Sequence, residues 1–168
     1  MSFSNLKFSH ELQRAIKENG FTQATPIQSK VIPLVLDKHD ILARSQTGSG
    51  KSASFILPIL ELYLQNIRPG KPKIKVLVLT PTRELTLQVS DTFNLFSTHL
   101  SKKPKVVSLI GGESIGDQLY EIQQGCDILV ATSGRFLDVT SKKQMNLSHV
   151  EFFVLDEADK MLDFGFEE

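Results

Sequence analysis

The 168-residue sequence predicts an α/β domain in which a parallel β-sheet lies between helices. Short apolar segments alternate along the chain with longer segments of helical periodicity, and this alternation favours a parallel sheet with crossover helices. One segment reads Val-Leu-Val-Leu at residues 76–79 without polar alternation, which is typical of a strand covered on both faces. The predicted strands are residues 40–43, 75–80, 106–110, 128–131 and 152–155.

Composition is that of an ordinary globular domain and excludes a uniformly basic one. Hydrophobic residues make up 40% and charged residues 23%, and 19 Lys and Arg balance 19 Asp and Glu. Any basic surface must therefore be local. Cys126 is the only cysteine, so we expect a core residue, no internal disulfide and a cytoplasmic location. No signal peptide or membrane-spanning segment is predicted.

Two helices are predicted ahead of the first strand. One spans residues 9–20, with Ser9 as its N-cap. The other spans residues 27–36, with Pro26 in its first turn, and we expect Pro33 to distort or divide it. The core-facing residues of the first helix are Leu12, Ala15 and Ile16. The later helices are predicted at residues 50–64, 83–96, 114–123 and 134–140.

A Gly/Ser-rich turn at residues 45–52 separates the first predicted strand from a helix. Gly48 and Gly50 allow backbone N–H groups to converge on phosphate oxygens. Lys51 can reach the β- and γ-phosphates of a nucleotide, and the Ser52 hydroxyl can bind Mg²⁺. The alternative is a flexible turn between a strand and a helix.

Two carboxylates follow the last predicted strand. Asp156 leaves the carboxyl end of a strand predicted to be buried, where ligands bind in open parallel sheets, and can hold Mg²⁺ through water. Glu157 can orient and deprotonate an attacking water. A solvated acidic loop is the alternative. Together with the Gly/Ser-rich turn, these residues predict a nucleoside triphosphate that is hydrolysed. We expect Lys51 and Asp156 to meet at one rim of the domain.

The segment at residues 20–28 can recognise a base. The amide of Gln28 can pair with the edge of adenine, and the ring of Phe21 can stack on it. The alternatives are a core phenylalanine and a glutamine on a helix surface.

These motifs together resemble the N-terminal RecA-like (P-loop) domain of DEAD-box ATP-dependent RNA helicases, and within that family the bacterial RhlE-type enzymes. The matching motifs run from Phe3 to Asp159. The resemblance implies one domain over residues 1–168, with a Q-motif region at 1–39 and a P-loop core at 40–168. It also implies a C-terminal RecA-like domain with arginine fingers, which these residues do not contain.

On the ATP side, the resemblance assigns the Q motif, motif I and motif II. Phe21 stacks on adenine, Gln28 reads its edge and Thr25 helps to hold the loop. Lys51, Asp156 and Glu157 are assigned to catalysis, and Ser52 and Asp156 to Mg²⁺. The residues assigned to ATP are Phe3, Phe21, Thr25, Gln28, Ser45, Gln46, Thr47, Gly48, Ser49, Gly50, Lys51, Ser52 and Asp159.

On the RNA side, the resemblance assigns motif Ia, the GG motif and motif Ib. Each segment follows an apolar strand, so we expect all three at the same edge of the sheet. Hydroxyl, backbone and guanidinium donors can hold phosphates and 2′-hydroxyls without reading bases. Helix caps and tight turns are the alternative. The residues are Pro81, Thr82, Arg83, Gly111, Gly112, Thr132, Ser133, Gly134 and Arg135.

Five residues depart from the family pattern without removing a chemical group that the reaction needs. Ser45 replaces alanine or glycine, and Ser52 replaces threonine but keeps its hydroxyl. Thr86 stands in place of alanine in motif Ia, and Ser133 in place of proline in motif Ib. Ala24 replaces the proline of the Q motif.

The resemblance implies that ATP hydrolysis is coupled to local RNA duplex unwinding when the second domain is joined. A DNA-directed motor and a nucleotide-gated clamp without catalysis are the alternatives. RNA-processing or ribosome-assembly proteins are possible partners. In RecA-like sheets, the motif III strand lies between the Mg²⁺-carboxylate strand and the phosphate-loop strand. The chain is truncated before it, so we expect a gap in the sheet, a compensating neighbour or a poorly ordered end.

Overall fold

The computed structural model describes residues 1–46, 48–142 and 144–165 and contains four strands and seven helices within them. The strands are β1 (Val76–Thr80), β2 (Val106–Leu109), β3 (Ile128–Thr132) and β4 (Phe152–Leu155). The helices are α1 (His10–Glu18), α2 (Pro26–Leu36), α3 (Lys51–Gln65), α4 (Arg83–Phe96), α5 (Ile115–Gln124), α6 (Ser133–Ser141) and α7 (Ala158–Asp163). A short 3-10 turn over Phe3–Asn5 precedes them.

All four strands belong to one parallel sheet, in the order β2-β3-β1-β4. In the register of this sheet, Thr80 pairs with Thr132 and Leu79 with Leu155. The carboxyl ends of the strands therefore lie along one edge, which confirms the predicted parallel α/β architecture. The predicted ends of most strands and helices agree with the structure to within one residue; α4 and β4 agree at both ends.

Helices cover the sheet on both faces, and all five residues of β1 are buried. Leu77 and Leu79 share a core with residues of α5, α6 and α7. Side chains alternate along a strand, so Ser108 of β2 points to the opposite face, where its hydroxyl lies 2.7 Å from that of Ser90 in α4. The sheet thus has the helical layers of a RecA-like fold.

By compactness the chain divides into two units. The first comprises Met1–Arg68 and Thr92–Lys103 and contains α1, α2 and α3. The second comprises Pro69–Asp91 and the chain from Pro104 onward, and contains the whole sheet. The predicted subdivision into residues 1–39 and 40–168 follows the motifs and stays a prediction.

In the first unit, α1 begins as the sequence predicts. The Ser9 hydroxyl accepts a hydrogen bond from the backbone N–H of Leu12. Its three predicted core residues are all buried. The carboxylate of Glu61 in α3 accepts the backbone N–H of Ser9 at 2.8 Å, and this bond anchors the start of α1 on α3. Glu61 is thereby buried with a polar partner, as burial of a carboxylate requires.

Helix α2 continues through Pro33, so the expected division of this helix is wrong. Proline removes one backbone donor and crowds the preceding turn. Here the helix keeps its remaining bonds, including that from the N–H of Asp37 to the carbonyl of Pro33 at 3.0 Å. Val31 and Ile32 are buried beside the proline. Packing of this apolar face outweighs the single lost hydrogen bond.

The predicted strand at residues 40–43 is also wrong. The segment forms no ladder, and Leu42 is fully exposed. A strand exists only where a second strand supplies hydrogen bonds, and within the described residues none lies beside this segment. Within the described residues the sheet ends at β4, and no further strand joins β4 to residues 40–43.

Strand β4 is an edge strand rather than the buried strand that was predicted. Phe153 and Leu155 are 57% and 49% exposed, whereas Phe152 and Val154 are partly buried. β4 pairs only with β1 among the described strands. An apolar run alone does not reveal whether both faces of a strand are covered.

Cys126 lies in the core, as predicted. It is 1% exposed, and burial, together with the nearby Asp127 carboxylate, raises the pKa of its thiol to about 12.

Helix α7 was not predicted, because six residues are too few to show helical periodicity. Among the described residues, every helix is too short or too polar to span a bilayer.

Candidate functional site

The turn that leads into α3 has the backbone shape of an anion cradle. Gly48 and Gly50 both have left-handed φ angles, +78° and +81°. Gly50 is the N-cap of α3, and among the described residues no side-chain cap bond is made to this helix. Uncapped N–H groups at the start of a helix favour a bound anion, and phosphate is the usual one after a Gly-rich turn. This part of motif I therefore fits a nucleotide phosphate.

Gln28 links this turn to α2. Its side chain is 1% exposed, its Nε2 donates to the carbonyl of Gly50 at 3.0 Å, and its Oε1 accepts from the N–H of Thr25 at 2.9 Å. A Cβ atom at Gly50 would lie 2.4 Å from Nε2, so the close approach requires glycine. Gln28 is thus not a helix-surface residue. Its role in reading adenine stays a prediction.

The serines of motif I brace the turn from within. The hydroxyls of Ser45 and Ser49 lie 2.8 Å apart, and the N–H of Ser49 donates to the carbonyl of Gln46 at 3.4 Å. The Ser45 hydroxyl, a departure from the family pattern, therefore has a structural partner. Lys51 and Ser52 are partly buried at the start of α3. Thr47 lies outside the described residues.

Phe21 belongs to an aromatic cluster in the first unit. Its ring meets those of Phe3 and Phe96 edge to face, at centroid distances of 6.2 and 5.3 Å. Phe3 is buried, whereas Phe21 is only partly buried. Both rings hold the loop that precedes α2 in place. Whether Phe21 also stacks on a base stays a prediction.

In the second unit, motif II follows β4 directly. The N–H of Asp156 donates to the carbonyl of Leu79 at 2.9 Å, and Asp156 is buried. Glu157 adopts a left-handed φ of +54° as the N-cap of α7. Non-glycine residues rarely adopt this conformation, and such residues cluster at functional sites. Asp159 is exposed on α7.

Lys160 is a partner of Glu157 that the sequence did not reveal. Its ammonium group lies 2.7 Å from the Glu157 carboxylate, whose side chain is 17% exposed. The hydrogen bond to Glu157 raises the pKa of Lys160. The i,i+3 spacing on a helix is a general signal for such a pair, but the short α7 was not predicted.

Motif Ia forms the turn between β1 and α4. Pro81 and Thr82 fill it, and the Thr82 hydroxyl accepts the N–H of Leu85 at 3.2 Å. Thr86 is fully buried, and its hydroxyl lies 2.6 Å from that of Thr80 and donates to the carbonyl of Thr82 at 3.0 Å. The threonine that departs from the family pattern therefore fixes the motif Ia turn.

The GG motif lies against Arg83. The guanidinium group of Arg83 donates to the carbonyl of Gly111. Gly112 has a left-handed φ of +78°, and a Cβ atom there would lie 2.3 Å from Nη1 of Arg83. None of the residues that the structure describes comes within 4 Å of a Cβ at Gly111. The close approach of the Arg83 guanidinium group therefore depends on glycine at position 112 and not at position 111.

Motif Ib begins α6. Thr132 is the N-cap but makes no side-chain cap bond, and Ser133 is buried. The Ser133 hydroxyl is without a hydrogen-bond partner in the described part of the chain. Gly134 is exposed, and Arg135 donates from Nη2 to the carbonyl of Glu113 at 3.2 Å. Arg135 thereby connects motif Ib to the segment after the GG motif.

The structure thus brings the predicted residues together in two groups. The Q motif and motif I meet in the first unit, and motifs Ia, GG, Ib and II follow strand ends at one sheet edge in the second. This edge placement confirms the expectation for the RNA-side motifs, whose roles stay predictions. Sequence reasoning missed Glu113, which lies beside both arginines.

Comparison with protein families gives one match that covers most of the chain. Residues 25–168 match the family model described as DEAD/DEAH box helicase. The match includes motifs I, Ia, GG, Ib and II and begins at Thr25, within the Q motif.

Individual relatives agree with this match. The DEAD-box ATP-dependent RNA helicase CshA of Bacillus licheniformis is 41% identical over 168 residues, which are all of this chain and 33% of that protein. A probable ATP-dependent RNA helicase of Methanocaldococcus jannaschii is 42% identical over 99% of this chain and 43% of its own length. The chain therefore spans about a third to two fifths of these relatives. The RhlE-type resemblance stays a prediction.

A solved structure supports the fold. The crystal structure of a DEAD box protein from the hyperthermophile Methanococcus jannaschii matches with a TM-score of 0.89 and 40% identity. The match covers 99% of this chain and 44% of that chain.

Proposed function

Because this chain belongs to the DEAD/DEAH box helicase family, we propose that it is the nucleotide-binding N-terminal domain of an ATP-dependent RNA helicase. The observation that carries the proposal is the turn before α3, where two left-handed glycines precede an uncapped helix N-terminus. Such a turn binds phosphate through its backbone.

The nucleotide that the first unit binds is ATP under this proposal. Backbone N–H groups of residues 46–52 hold the phosphates, and Lys51 at the start of α3 neutralises their charge. Gln28 and Phe21 recognise adenine. The hydrogen bond from Gln28 to Gly50 supports this assignment, because it ties the base-reading segment to the phosphate-binding turn.

Hydrolysis requires an acid pair and a divalent cation. The Asp156 carboxylate and the Ser52 hydroxyl are hard oxygen donors of the kind that Mg²⁺ prefers, and they would hold the ion. Bound Mg²⁺ would neutralise charge on the β- and γ-phosphate oxygens. Glu157 orients the attacking water and accepts its proton. The strained backbone at Glu157 supports this role.

RNA binds along the carboxyl edge of the sheet through the residues of motifs Ia, GG and Ib. The contacts are to phosphates and 2′-hydroxyls, so binding has little sequence preference. A C-terminal RecA-like domain of the same protein supplies arginine fingers and the remaining RNA contacts. With both domains present, ATP hydrolysis drives local duplex unwinding in the cytoplasm, where RNA-processing or ribosome-assembly proteins are candidate partners.

Nucleotide titration of the 168-residue chain, by calorimetry in the presence of Mg²⁺, tests the proposal. We expect ATP and ADP to bind and GTP to bind more weakly. Lys51→Ala should weaken ATP binding by about tenfold or more, because a hydrogen bond to a charged group contributes about 1.5–3 kcal/mol. Lys30→Ala, which removes an exposed lysine from α2, is the matched control and should leave affinity unchanged.

Equal binding of ATP by wild type and Lys51→Ala would contradict the phosphate assignment. Equal binding of ATP and GTP would contradict only the adenine assignment.

A further inference from the structure

Glu113 places a negative charge among the side chains proposed to bind RNA phosphates. Its Oε1 lies 3.9 Å from Nη2 of Arg83, and its backbone carbonyl accepts a hydrogen bond from Arg135 at 3.2 Å. The second nitrogen of Arg83, Nη1, donates to the carbonyl of Gly111. Each arginine therefore uses one of its guanidinium N–H donors for a hydrogen bond within the protein.

The Glu113 carboxylate is held in this position by a buried side chain. Gln118 of α5 is 5% exposed and donates from Nε2 to Oε2 of Glu113 at 3.2 Å. Gln118 is itself fixed by two bonds to the backbone of Ile110, at 3.0 and 3.3 Å. The carboxylate is thus oriented toward Arg83 although about half of its side chain is exposed.

We propose that Glu113 competes with an RNA phosphate for Arg83 and so lowers and tunes RNA affinity. This proposal rests on the proposed RNA path along motifs Ia, GG and Ib. A carboxylate and a phosphate present similar oxygen acceptors to a guanidinium group, so they exclude one another at its Nη2 edge. RNA binding must therefore displace the Glu113 carboxylate from Arg83, or bring a phosphate close to this carboxylate against their electrostatic repulsion.

The size of the effect follows from the exposure of the pair. Arg83 and Glu113 side chains are 45% and 54% exposed, so solvent screens their attraction. At the upper end of its usual range, the attraction within an exposed ion pair corresponds to about a two- to fivefold change in an equilibrium constant. Removing the Glu113 charge should therefore tighten RNA binding by about two- to fivefold at low salt, without affecting the two backbone contacts made by the arginines.

The test is fluorescence anisotropy of the 168-residue chain with a labelled single-stranded homopolymeric RNA, across a series of KCl concentrations. Glu113→Gln keeps the shape of the side chain and a carbonyl acceptor for Gln118. We expect about two- to fivefold tighter binding at the lowest salt. The plot of log K against log[KCl] should become steeper by up to about 0.7, because Arg83 then pairs fully with phosphate.

Two variants separate competition from a general charge effect. Glu121→Gln removes one negative charge from an exposed position elsewhere on α5 and should leave both quantities close to those of wild type. Arg83→Gln should bind RNA more weakly than wild type. Adding Glu113→Gln to Arg83→Gln should not increase RNA affinity. Glu113→Ala should reproduce the gain of Glu113→Gln, which excludes an effect specific to the amide.

Unchanged or weaker binding by Glu113→Gln would overturn the proposal, as would an equal gain in Glu121→Gln or in the Arg83→Gln background. Failure of wild type and Glu113→Gln alike to bind RNA, both in this chain and in a protein that carries both RecA-like domains, would instead overturn the proposed RNA path, and the role of Glu113 with it.

Discussion

Gly111 and Gly112 are neighbours of the same type, but they meet different constraints. Gly112 has a left-handed φ, and a Cβ atom there would push Nη1 of Arg83 aside, whereas none of the described residues comes within 4 Å of a Cβ at Gly111. Gly112→Ala should destabilise the domain by about 1–3 kcal/mol, since a non-glycine residue is strained there. It should also weaken RNA binding, because the new methyl group displaces Arg83.

Urea unfolding and RNA anisotropy check this prediction, with Gly111→Ala as the matched control. A loss of stability and affinity that is as large for Gly111→Ala as for Gly112→Ala would contradict it.

Glu157 carries the predicted hydrolysis step. Glu157→Gln keeps an oxygen acceptor for Lys160 but cannot take a proton from water. In a protein that carries both RecA-like domains, we expect nucleotide affinity to persist and turnover to fall by about 10²–10⁴. The measurement is steady-state ATPase activity beside nucleotide affinity, with Glu151→Gln, exposed just before β4, as the control. Undiminished turnover in Glu157→Gln would refute the base assignment.

At the scale of elements, the turn between β1 and α4 depends on a buried hydroxyl. Thr86→Val keeps the side-chain shape but removes the bonds to Thr80 and to the carbonyl of Thr82. We expect a loss of about 1–2 kcal/mol of stability, since two buried hydrogen bonds are lost while the Thr80 hydroxyl keeps its bond to the carbonyl of Thr82. Thr98→Val, at an exposed position, should change stability by less than about 0.5 kcal/mol. Equal unfolding midpoints for the two variants would contradict this role.

Element type and bounds were predictable wherever local signals agree. The periodicity of α4 and the apolar run of β4 gave their ends correctly. The strand at residues 40–43 was not predictable, since a strand depends on a partner that the local sequence does not specify. The same holds for the exposure of β4. Pro33 failed as a helix breaker because buried neighbours on α2 outweigh its missing donor.

The site residues likewise fall into those that the local sequence predicts and those that it does not. Motif glycines and carboxylates follow from their own chemistry. The burial of Gln28 has a local signal that could have found it: Thr25 and Gln28 have the spacing of a capping box, and the structure forms one. Lys160 has only the general i,i+3 spacing to Glu157, on a helix too short to predict, and Glu113 has no local signal, because its role depends on the arginines that the fold places beside it.

At the scale of the whole molecule, β4 presents an open edge within the described structure, with Phe153 and Leu155 about half exposed. Open apolar edges pair with other chains, and an added lysine is a common protection. We expect the 168-residue chain to self-associate as its concentration rises, and Phe153→Lys to reduce this. Tyr120→Lys, which alters an exposed aromatic residue on α5, should not. Sedimentation velocity that shows equal association for both variants would count against an edge-strand contact.

Both groups of motifs must act on one magnesium nucleotide if the chain works as a helicase domain. The most direct test compares the ATP affinity of wild type and Asp156→Asn, each with Mg²⁺ and with excess chelator. We predict that Mg²⁺ strengthens ATP binding to wild type and that Asp156→Asn loses most of this gain while keeping its magnesium-free affinity. A full magnesium effect in Asp156→Asn would contradict a cation held by both Asp156 and the nucleotide.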